Sequence, residues 1–304
     1  LCRPQVIAAY PITPQTTIVE KIAKGVDAGR IKTEFICVES EHSAMAACIA
    51  AQATGVRTFT ATSSHGLLLM HEMLHWASLA RLPVVMANVN RSIGPGWNIW
   101  CDYNDSMAQR DTGWIQMYAS SCQEILDMHI EAFRLGEDPH VMLPVMVCFD
   151  GFTISHTSMP VDVPEPSTVD RFIPPYKPLW KLDTADPVTH GNIIPSKNYN
   201  RVRYSQQLGM DHVPKVVERI RKEFKDTFGR DHGGLIETTG VDEADTILVG
   251  VGALGAGLKV AADTMRRKGK KVGTARLRYF RPFPVKELKA ICKGKRIVVF
   301  DRAI

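Results

Sequence analysis

Short apolar runs alternate with segments of helical periodicity through roughly the first 157 residues of this 304-residue chain. The runs predict strands at 6–9, 34–38, 58–62, 84–89, 115–118 and 141–149. A serine at 120 or 121 with Glu124 behind it forms a capping box, which predicts a helix that runs to Gly136. Strands that alternate with helices favour an α/β fold whose largely parallel sheet carries helices on both faces.

The composition changes after residue 158. Eight of the eighteen prolines lie between Pro160 and Pro195, which indicates an extended connector on the protein surface. A helical segment follows at 213–228, and then strands at 246–251, 271–278 and 296–300 with helices at 256–267 and 285–292. We therefore divide the chain into a first domain (1–158), a proline-rich connector (159–205) and a smaller α/β domain (206–304).

Charge and cysteine content limit the classes of function. The net charge of +5 is mild and only residues 266–271 form a basic cluster, so nucleic-acid binding has little support. No apolar run is long enough for a membrane span. The seven cysteines include no CxxC pair, so we expect reduced thiols in a cytoplasmic protein, with no iron–sulfur cluster or thiolate zinc site in this chain. The chain starts without a methionine and stops at an apparent strand end, and we expect residues to be missing at both ends.

Two motifs suggest other kinds of site. Gly250, Gly252 and Gly255 follow a strand and open a helix, as a dinucleotide site requires, but no carboxylate follows about twenty residues later. An arginine at the end of the next strand could suit the 2′-phosphate of NADP; the alternative is a tight strand-to-helix turn.

The second motif is His71, Glu72 and His75, a literal HExxH. On a helix this spacing places two imidazoles on one face with a carboxylate that could activate water, as in a zinc metalloprotease. A third ligand is needed, and only Asp102 and Asp105 are at hand. We regard the motif as a chance occurrence on a core helix.

Polar and charged residues follow the predicted strands where open α/β sheets bind their ligands. The first strand is followed by the turn YPITP at residues 10–14, and the second by the acids Glu39 and Glu41. A turn of small residues, SSHG at 63–66, follows the third. Arg91 follows the fourth, ahead of an aromatic loop, and its guanidinium would suit a small carboxylate.

These segments resemble a known family. They are YPITP (10–14), ESE (39–41), FTATSSHGLLLM (59–70), NRS (90–92), QRDTGW (109–114), FDGF (149–152) and RPFP (281–284). In this order they are similar to the α subunit of 2-oxoacid:ferredoxin oxidoreductases, of the pyruvate synthase type. The resemblance implies a thiamine diphosphate pyrimidine-binding domain followed by a domain like the C-terminal domain of transketolase. It also implies oxidative decarboxylation of a 2-oxoacid, most simply pyruvate, with coenzyme A to acyl-CoA, carbon dioxide and reduced ferredoxin.

The same resemblance implies roles for individual residues. Glu41 would be the catalytic acid that hydrogen-bonds ring nitrogen N1′ of the aminopyrimidine. Arg91 would hold the substrate carboxylate, and Thr13 would lie near the keto oxygen. The substrate-binding residues Tyr10 and Pro11 would shape the same pocket. Two further positions, Ser64 and His65, would be cofactor-binding, and His65 could hydrogen-bond either the cofactor or its adduct with the substrate.

Two departures from the family pattern bear on substrate and partners. His65 stands where the pyruvate enzymes tend to carry glutamine, and the aromatic residues near Trp97 leave open an aromatic 2-oxoacid such as phenylglyoxylate, with NAD as a possible acceptor. The chain has no Gly-Asp-Gly followed by a distant asparagine, the pattern that holds Mg²⁺ and the diphosphate. We therefore expect a hetero-oligomer in which a β subunit binds the Mg²⁺–diphosphate end and γ and δ subunits carry [4Fe-4S] clusters.

Overall fold

The computed structural model describes residues 1–303 as an α/β protein with two sheets. The strands are β1 (Val6–Ala9), β2 (Glu34–Cys37), β3 (Thr58–Thr62), β4 (Val85–Asn90), β5 (Ile115–Tyr118), β6 (Val145–Asp150), β7 (Ile236–Thr239), β8 (Thr246–Val251), β9 (Val272–Leu277), β10 (Tyr279–Arg281) and β11 (Arg296–Val299). The helices are α1 (Thr16–Asp27), α2 (Glu41–Ala53), α3 (Ser64–Leu69), α4 (His71–Leu79), α5 (Asn104–Met107), α6 (Cys122–Gly136), α7 (Pro166–Phe172), α8 (Ser196–Phe228), α9 (Gly252–Arg267) and α10 (Val285–Cys292).

The larger sheet has seven strands in the order β10-β5-β6-β4-β3-β1-β2, and its neighbouring strands are parallel except for β10. Every residue of β4 and β6 is buried, as expected for central strands covered on both faces. Val85 and Val89 face a core built with α6 and α8, whereas Met86 faces a core built with α2, α3 and α4. The predicted α/β sheet with helices on both faces is therefore confirmed.

Local sequence fixes where the helices start. Ser40 caps α2, because its side-chain oxygen accepts the amide of Ser43 at 3.2 Å. Ser121 caps α6 by accepting the amide of Glu124 at 3.1 Å, and the carboxylate of Glu124 accepts the amide of Ser120 at 2.8 Å. The predicted capping box and the end of this helix at Gly136 are confirmed.

The smaller sheet has the order β11-β8-β9-β7, in which β7 alone runs antiparallel to its neighbour. The predicted elements at 246–251, 256–267, 271–278, 285–292 and 296–300 are found with shifts of a few residues at some of their ends. The sequence analysis missed β7 and β10. Directly after β9, the chain passes through Arg278 into β10, which pairs with β5 of the larger sheet and so joins the two sheets.

Two expected boundaries were wrong. The sixth strand begins at Val145 and not at residue 141, because Pro144 cannot donate in a sheet ladder and ends the preceding turn. The helix expected at 213–228 begins at Ser196 and includes Pro214. Its buried residues recur at three- and four-residue spacing, and Val213 and Ile220 pack in the core of the larger sheet.

The division of the chain at residues 158 and 205 stays a prediction. The proposed connector includes α7 and the first turns of α8, so it is less extended than its prolines suggested. None of the helices within residues 1–303 combines the length and the apolar character needed to cross a lipid bilayer.

Candidate active site

Glu41 is the first residue of α2, at the carboxyl end of β2, and only 6% of it is exposed. Within residues 1–303 its carboxylate has no hydrogen-bond or ion-pair partner. The neighbouring acid behaves differently: Glu39 is exposed and accepts the hydroxyl of Ser43 at 2.6 Å. That bond lowers the pKa of Glu39. Of the two adjacent acids, Glu41 alone is both buried and unpaired.

Gly66 on α3 makes room for the Glu41 side chain. A Cβ atom added to Gly66 would lie 2.4 Å from Oε1 of Glu41 and 2.6 Å from Oγ1 of Thr62. The hydroxyls of Thr62 and Ser63 are buried and lack a hydrogen-bond partner in the part of the chain that the structure describes. Buried polar atoms normally have partners. The region beside Glu41 therefore offers a carboxylate and the Thr62 hydroxyl to a polar ligand.

Arg91 directly follows β4 and is buried. Its Nη1 donates to the carbonyl oxygen of Thr13 at 2.6 Å, and its guanidinium carbon lies 4.7 Å from the ring centroid of Trp97. The Nε atom of Arg91 is buried without a partner among residues 1–303. Burial lowers the pKa of Arg91, although Asp105 opposes this effect. The guanidinium thus keeps an unused donor at the carboxyl end of the sheet.

The turn after β1 carries the three other predicted substrate-binding residues, Tyr10, Pro11 and Thr13, and all three are exposed. The sequence analysis missed the residue that fixes this turn. The Gln15 amide nitrogen donates to the carbonyl oxygen of Ala61 at 2.6 Å, and its amide oxygen accepts the backbone N–H of Ile12 at 3.2 Å. Gln15 thereby ties the turn to β3.

The turn between β3 and α3 holds the two predicted cofactor-binding residues. The hydroxyl of Ser64 donates to the carbonyl oxygen of Ser92, so this hydroxyl already has an acceptor within the chain. The imidazole of His65 lies 3.3 Å from Nη2 of Arg91, and its Nε2 is 3.1 Å from the amide nitrogen of Gly94. Arg91 therefore contacts both His65 and the turn that carries Thr13. Gly66 lies on the same helix as His65, α3, and packs against Glu41.

A buried carboxylate that the sequence analysis did not assign to this site lies beneath both turns. Oδ2 of Asp105 accepts the backbone N–H groups of Ser64 at 3.0 Å and of Arg91 at 3.3 Å, and Oδ1 accepts the side-chain amide of Asn90 at 2.8 Å. Burial raises the pKa of Asp105 to about 6, and these hydrogen bonds oppose that rise. Asp105 belongs to the short helix α5, which follows the aromatic loop. The sequence analysis considered it only as a possible metal ligand, because it lies in no recognised motif.

The HExxH motif lies on α4, but its side chains point to different partners. Nδ1 of His71 contacts Oε1 of Gln109 at 2.5 Å, and the carboxylate of Glu72 is 3.6 Å from Nε2 of His42. The rings of His71 and His75 meet edge to face at 5.0 Å. Among residues 1–303, no group of three or more histidine, cysteine, aspartate or glutamate side chains is arranged to hold a metal ion.

The glycine-rich turn before α9 is explained by close packing. A Cβ atom on Gly252, which has a φ of +53°, would lie 3.0 Å from Oη of Tyr103, and one on Gly255 would lie 2.4 Å from Cγ of Arg276. The arginine considered for a 2′-phosphate is engaged elsewhere, because Arg276 donates to both carboxylate oxygens of Glu124 at 3.0 Å. These contacts favour the tight-turn interpretation, because Arg276 is paired with Glu124 and is not free for a 2′-phosphate.

Comparisons with known proteins agree with these observations. Residues 1–222 match the family described as pyruvate flavodoxin/ferredoxin oxidoreductase, thiamine diphosphate-binding, and residues 244–304 match pyruvate:ferredoxin oxidoreductase core domain II. The chain is 49% identical to the ketoisovalerate oxidoreductase subunit VorA of Pyrococcus furiosus, covering 99% of this chain and 76% of that protein. It is 47% identical to the pyruvate synthase subunit PorA of Methanocaldococcus jannaschii, covering 98% of this chain and 78% of that protein.

A solved structure supports the fold. The 2-oxoglutarate:ferredoxin oxidoreductase from Magnetococcus marinus matches with a TM-score of 0.73 at 20% identity, covering 98% of this chain and 55% of that chain. The chain thus spans about half the length of this structural relative. Because the first family match covers residues 1–222, more than half of the chain, and includes the buried acid at the end of β2, the chain belongs to the pyruvate flavodoxin/ferredoxin oxidoreductase family, with the thiamine diphosphate-binding region in its larger part.

Proposed function

We propose that the chain is the α subunit of a 2-oxoacid:ferredoxin oxidoreductase that oxidatively decarboxylates a 2-oxoacid with coenzyme A. The products are acyl-CoA, carbon dioxide and reduced ferredoxin. The observation that carries the proposal is the buried carboxylate of Glu41, which has no partner within residues 1–303 and lies against Gly66. A buried carboxylate is costly unless a hydrogen-bonding group meets it, so a ligand at this position would be stabilised.

The residues around Glu41 fit the aminopyrimidine of thiamine diphosphate. The carboxylate can accept a hydrogen bond from a ring nitrogen, while the unpaired hydroxyl of Thr62 can serve another polar atom of the ring. When bound, the cofactor supplies a carbon nucleophile for the keto group of the 2-oxoacid. Glu41 holds the proton at ring nitrogen N1′, and Gly66 keeps the approach to its carboxylate open.

The substrate side of the site is built by Arg91 and the turn after β1. Arg91 pairs with the 2-oxoacid carboxylate through its guanidinium, whose Nε has no partner among residues 1–303. Thr13 lies next to Arg91 and faces the keto oxygen, and Tyr10 and Pro11 form the neighbouring wall. We propose pyruvate as the first substrate to test, and the relatives named for ketoisovalerate make the branched 2-oxoacid the second.

The remaining parts of the reaction belong to partner chains. A β subunit holds Mg²⁺ and the diphosphate, and γ and δ subunits carry the [4Fe-4S] clusters that pass electrons to ferredoxin. We place this complex in the cytoplasm, because all seven cysteines are free thiols.

The central experiment replaces one of two neighbouring acids in the native complex. In Glu41→Gln we expect 2-oxoacid oxidation, measured with coenzyme A and a viologen dye, to fall by a factor of about 10³, because proton handling by a positioned group contributes on the order of 10²–10⁴. Glu39→Gln is the matched control, because Glu39 is exposed and bonds only to Ser43 in the described chain; its activity should stay close to wild type. Equal activities in the two variants would remove Glu41 from the mechanism.

The loop after Arg91 supports a second substrate class. Trp97 is half-exposed and stacks on Arg91, and Trp100 packs on Phe152 with ring centroids 5.5 Å apart. An aromatic 2-oxoacid such as phenylglyoxylate could stack against this loop, with NAD as the acceptor. A panel of pyruvate, ketoisovalerate and phenylglyoxylate, each assayed with ferredoxin and with NAD, separates these possibilities through kcat/KM.

A further inference from the structure

His65 is placed between two hydrogen-bond donors. The amide nitrogen of Gly94 lies 3.1 Å from Nε2, and Nη2 of Arg91 lies 3.3 Å from Nδ1. A neutral imidazole has one nitrogen that accepts and one that carries a proton, so it cannot accept from both donors. At one of the two contacts, the His65 nitrogen therefore carries a proton and faces another donor.

The backbone decides which contact this is. The N–H of Gly94 has a direction fixed by the chain, and it points at Nε2. Nε2 is therefore the accepting nitrogen, and the proton of neutral His65 is on Nδ1. Arg91 cannot accept a hydrogen bond and stays protonated. Nδ1–H of His65 and Nη2 of Arg91 consequently face each other as two donors.

No acceptor within residues 1–303 relieves this arrangement. The carboxylate of Asp105 meets backbone N–H groups, including those of Ser64 and Arg91. Trp97 covers the pair on one side: its ring centroid lies 4.7 Å from the Arg91 guanidinium carbon and 6.3 Å from the His65 ring. An indole ring offers no carboxylate-like acceptor. The Nε of Arg91 is also without a partner in the described chain. A ligand with two acceptor oxygens would therefore satisfy the donors of both His65 and Arg91.

We infer that His65 donates a hydrogen bond from Nδ1 to the substrate carboxylate that Arg91 also holds. This inference rests on the proposed function and deepens it, because it makes His65 a substrate-binding residue and not a contact of the cofactor. One carboxylate oxygen pairs with the guanidinium and the other accepts from the imidazole. Such an arrangement selects 2-oxoacids over uncharged keto compounds, because both donors would be unpaired without the carboxylate.

Two substitutions in the native complex isolate the donor at Nδ1. His65→Leu and His65→Asn both remove the acceptor for the Gly94 amide, but the amide of Asn lies near the position of Nδ1 and keeps a donor toward the substrate. We expect the KM for the 2-oxoacid to rise roughly tenfold or more in His65→Leu, as for the loss of a hydrogen bond to a charged group. In His65→Asn we expect a clearly smaller rise.

Three results would overturn the inference. An unchanged KM in both variants would mean that His65 is not a donor, and a rise in His65→Asn equal to or above that in His65→Leu would mean that the lost Gly94 contact controls the KM. A loss of bound thiamine diphosphate at unchanged KM would make His65 a cofactor contact. The failure of the proposed function is distinguishable, since the wild-type complex would then oxidise none of the 2-oxoacids.

Discussion

Glu41 and Glu124 are both buried carboxylates in the first turn of a helix that follows a strand of the larger sheet. Their surroundings differ. Glu124 accepts hydrogen bonds from Arg276, Arg278 and Ser120, with distances between 2.7 and 3.0 Å. Glu41 has no side-chain partner among the residues that the structure describes.

The difference separates a structural carboxylate from one that is available to a ligand. Burial alone would raise the pKa of Glu124, but Arg278 and Arg276 outweigh it and hold this pKa well below its usual range. Because these arginines flank the junction of β9 and β10, the cluster ties α6 to the smaller sheet. Glu41 gains no such compensation from the described chain, so its burial is compensated only when another molecule binds.

The largest expected effect comes from breaking the structural cluster. Glu124→Gln leaves two buried guanidinium groups without their shared carboxylate, so we expect the free energy of unfolding to fall by about 3–5 kcal/mol. Glu41→Gln should leave this free energy unchanged or raise it, because the substitution removes an unpaired buried carboxylate. Urea unfolding of the two purified variants measures the contrast. Equal losses of unfolding free energy in the two variants would show that the cofactor-free protein stabilises the Glu41 carboxylate as well as that of Glu124.

A smaller effect is expected from a methyl group placed against Glu41. Gly66→Ala would bring a carbon within 2.4 Å of Oε1, so the carboxylate must move, and we expect kcat to fall about 100-fold, or about 2.7 kcal/mol in the barrier. Gly257→Ala is the control, because this exposed glycine of α9 has no atom within 4 Å of an added Cβ. It should keep full activity and gain up to about 1 kcal/mol of helix stability. Full activity in Gly66→Ala would mean that the carboxylate acts from another position.

The sequence predicted the residues at strand ends because their position depends on local patterns. An apolar run followed by a turn places Tyr10, Glu41 and Arg91 at one edge of a parallel sheet, and this requires no knowledge of distant contacts. The parallel strands of the larger sheet and the capping box of α6 were predictable for the same reason.

The contacts that complete the site could not be predicted in this way. The approach of Gly66 to Glu41 and the bonds from Asp105 to two separate turns join residues that lie 14 to 41 positions apart. Hydrophobic periodicity carries no information about such contacts. The helix α8 likewise continues through Pro214 and begins at Ser196, because it packs along its length on the larger core. The pairing of β10 with β5 depends on the same long-range packing.

The smallest expected effect concerns Asp105, whose surroundings are intermediate between those of the two glutamates. It is buried and hydrogen-bonded, but it forms no ion pair with an arginine within residues 1–303. In Asp105→Asn one acceptor oxygen is replaced by a donor facing N–H groups, so the turns that carry Ser64 and Arg91 should shift. We expect the KM for the 2-oxoacid to rise about tenfold with a smaller change in kcat, because about 1.4 kcal/mol of substrate binding is lost.

The same variant has a pH signature that tests whether Asp105 is held by polar contacts alone. Its pKa is raised to about 6 in the folded chain, above the value of about 4 in an unfolded one, so the folded state binds the proton more tightly between these values. The contribution of Asp105 to stability is therefore greatest below pH 4 and decreases as the pH rises through about 6. Wild type should lose stability relative to Asp105→Asn across this window, as measured by urea unfolding at several pH values. If the difference in stability between wild type and Asp105→Asn did not change with pH, the Asp105 carboxylate would be compensated as fully as that of Glu124. The distinction between paired and unpaired acids would then not extend to Asp105.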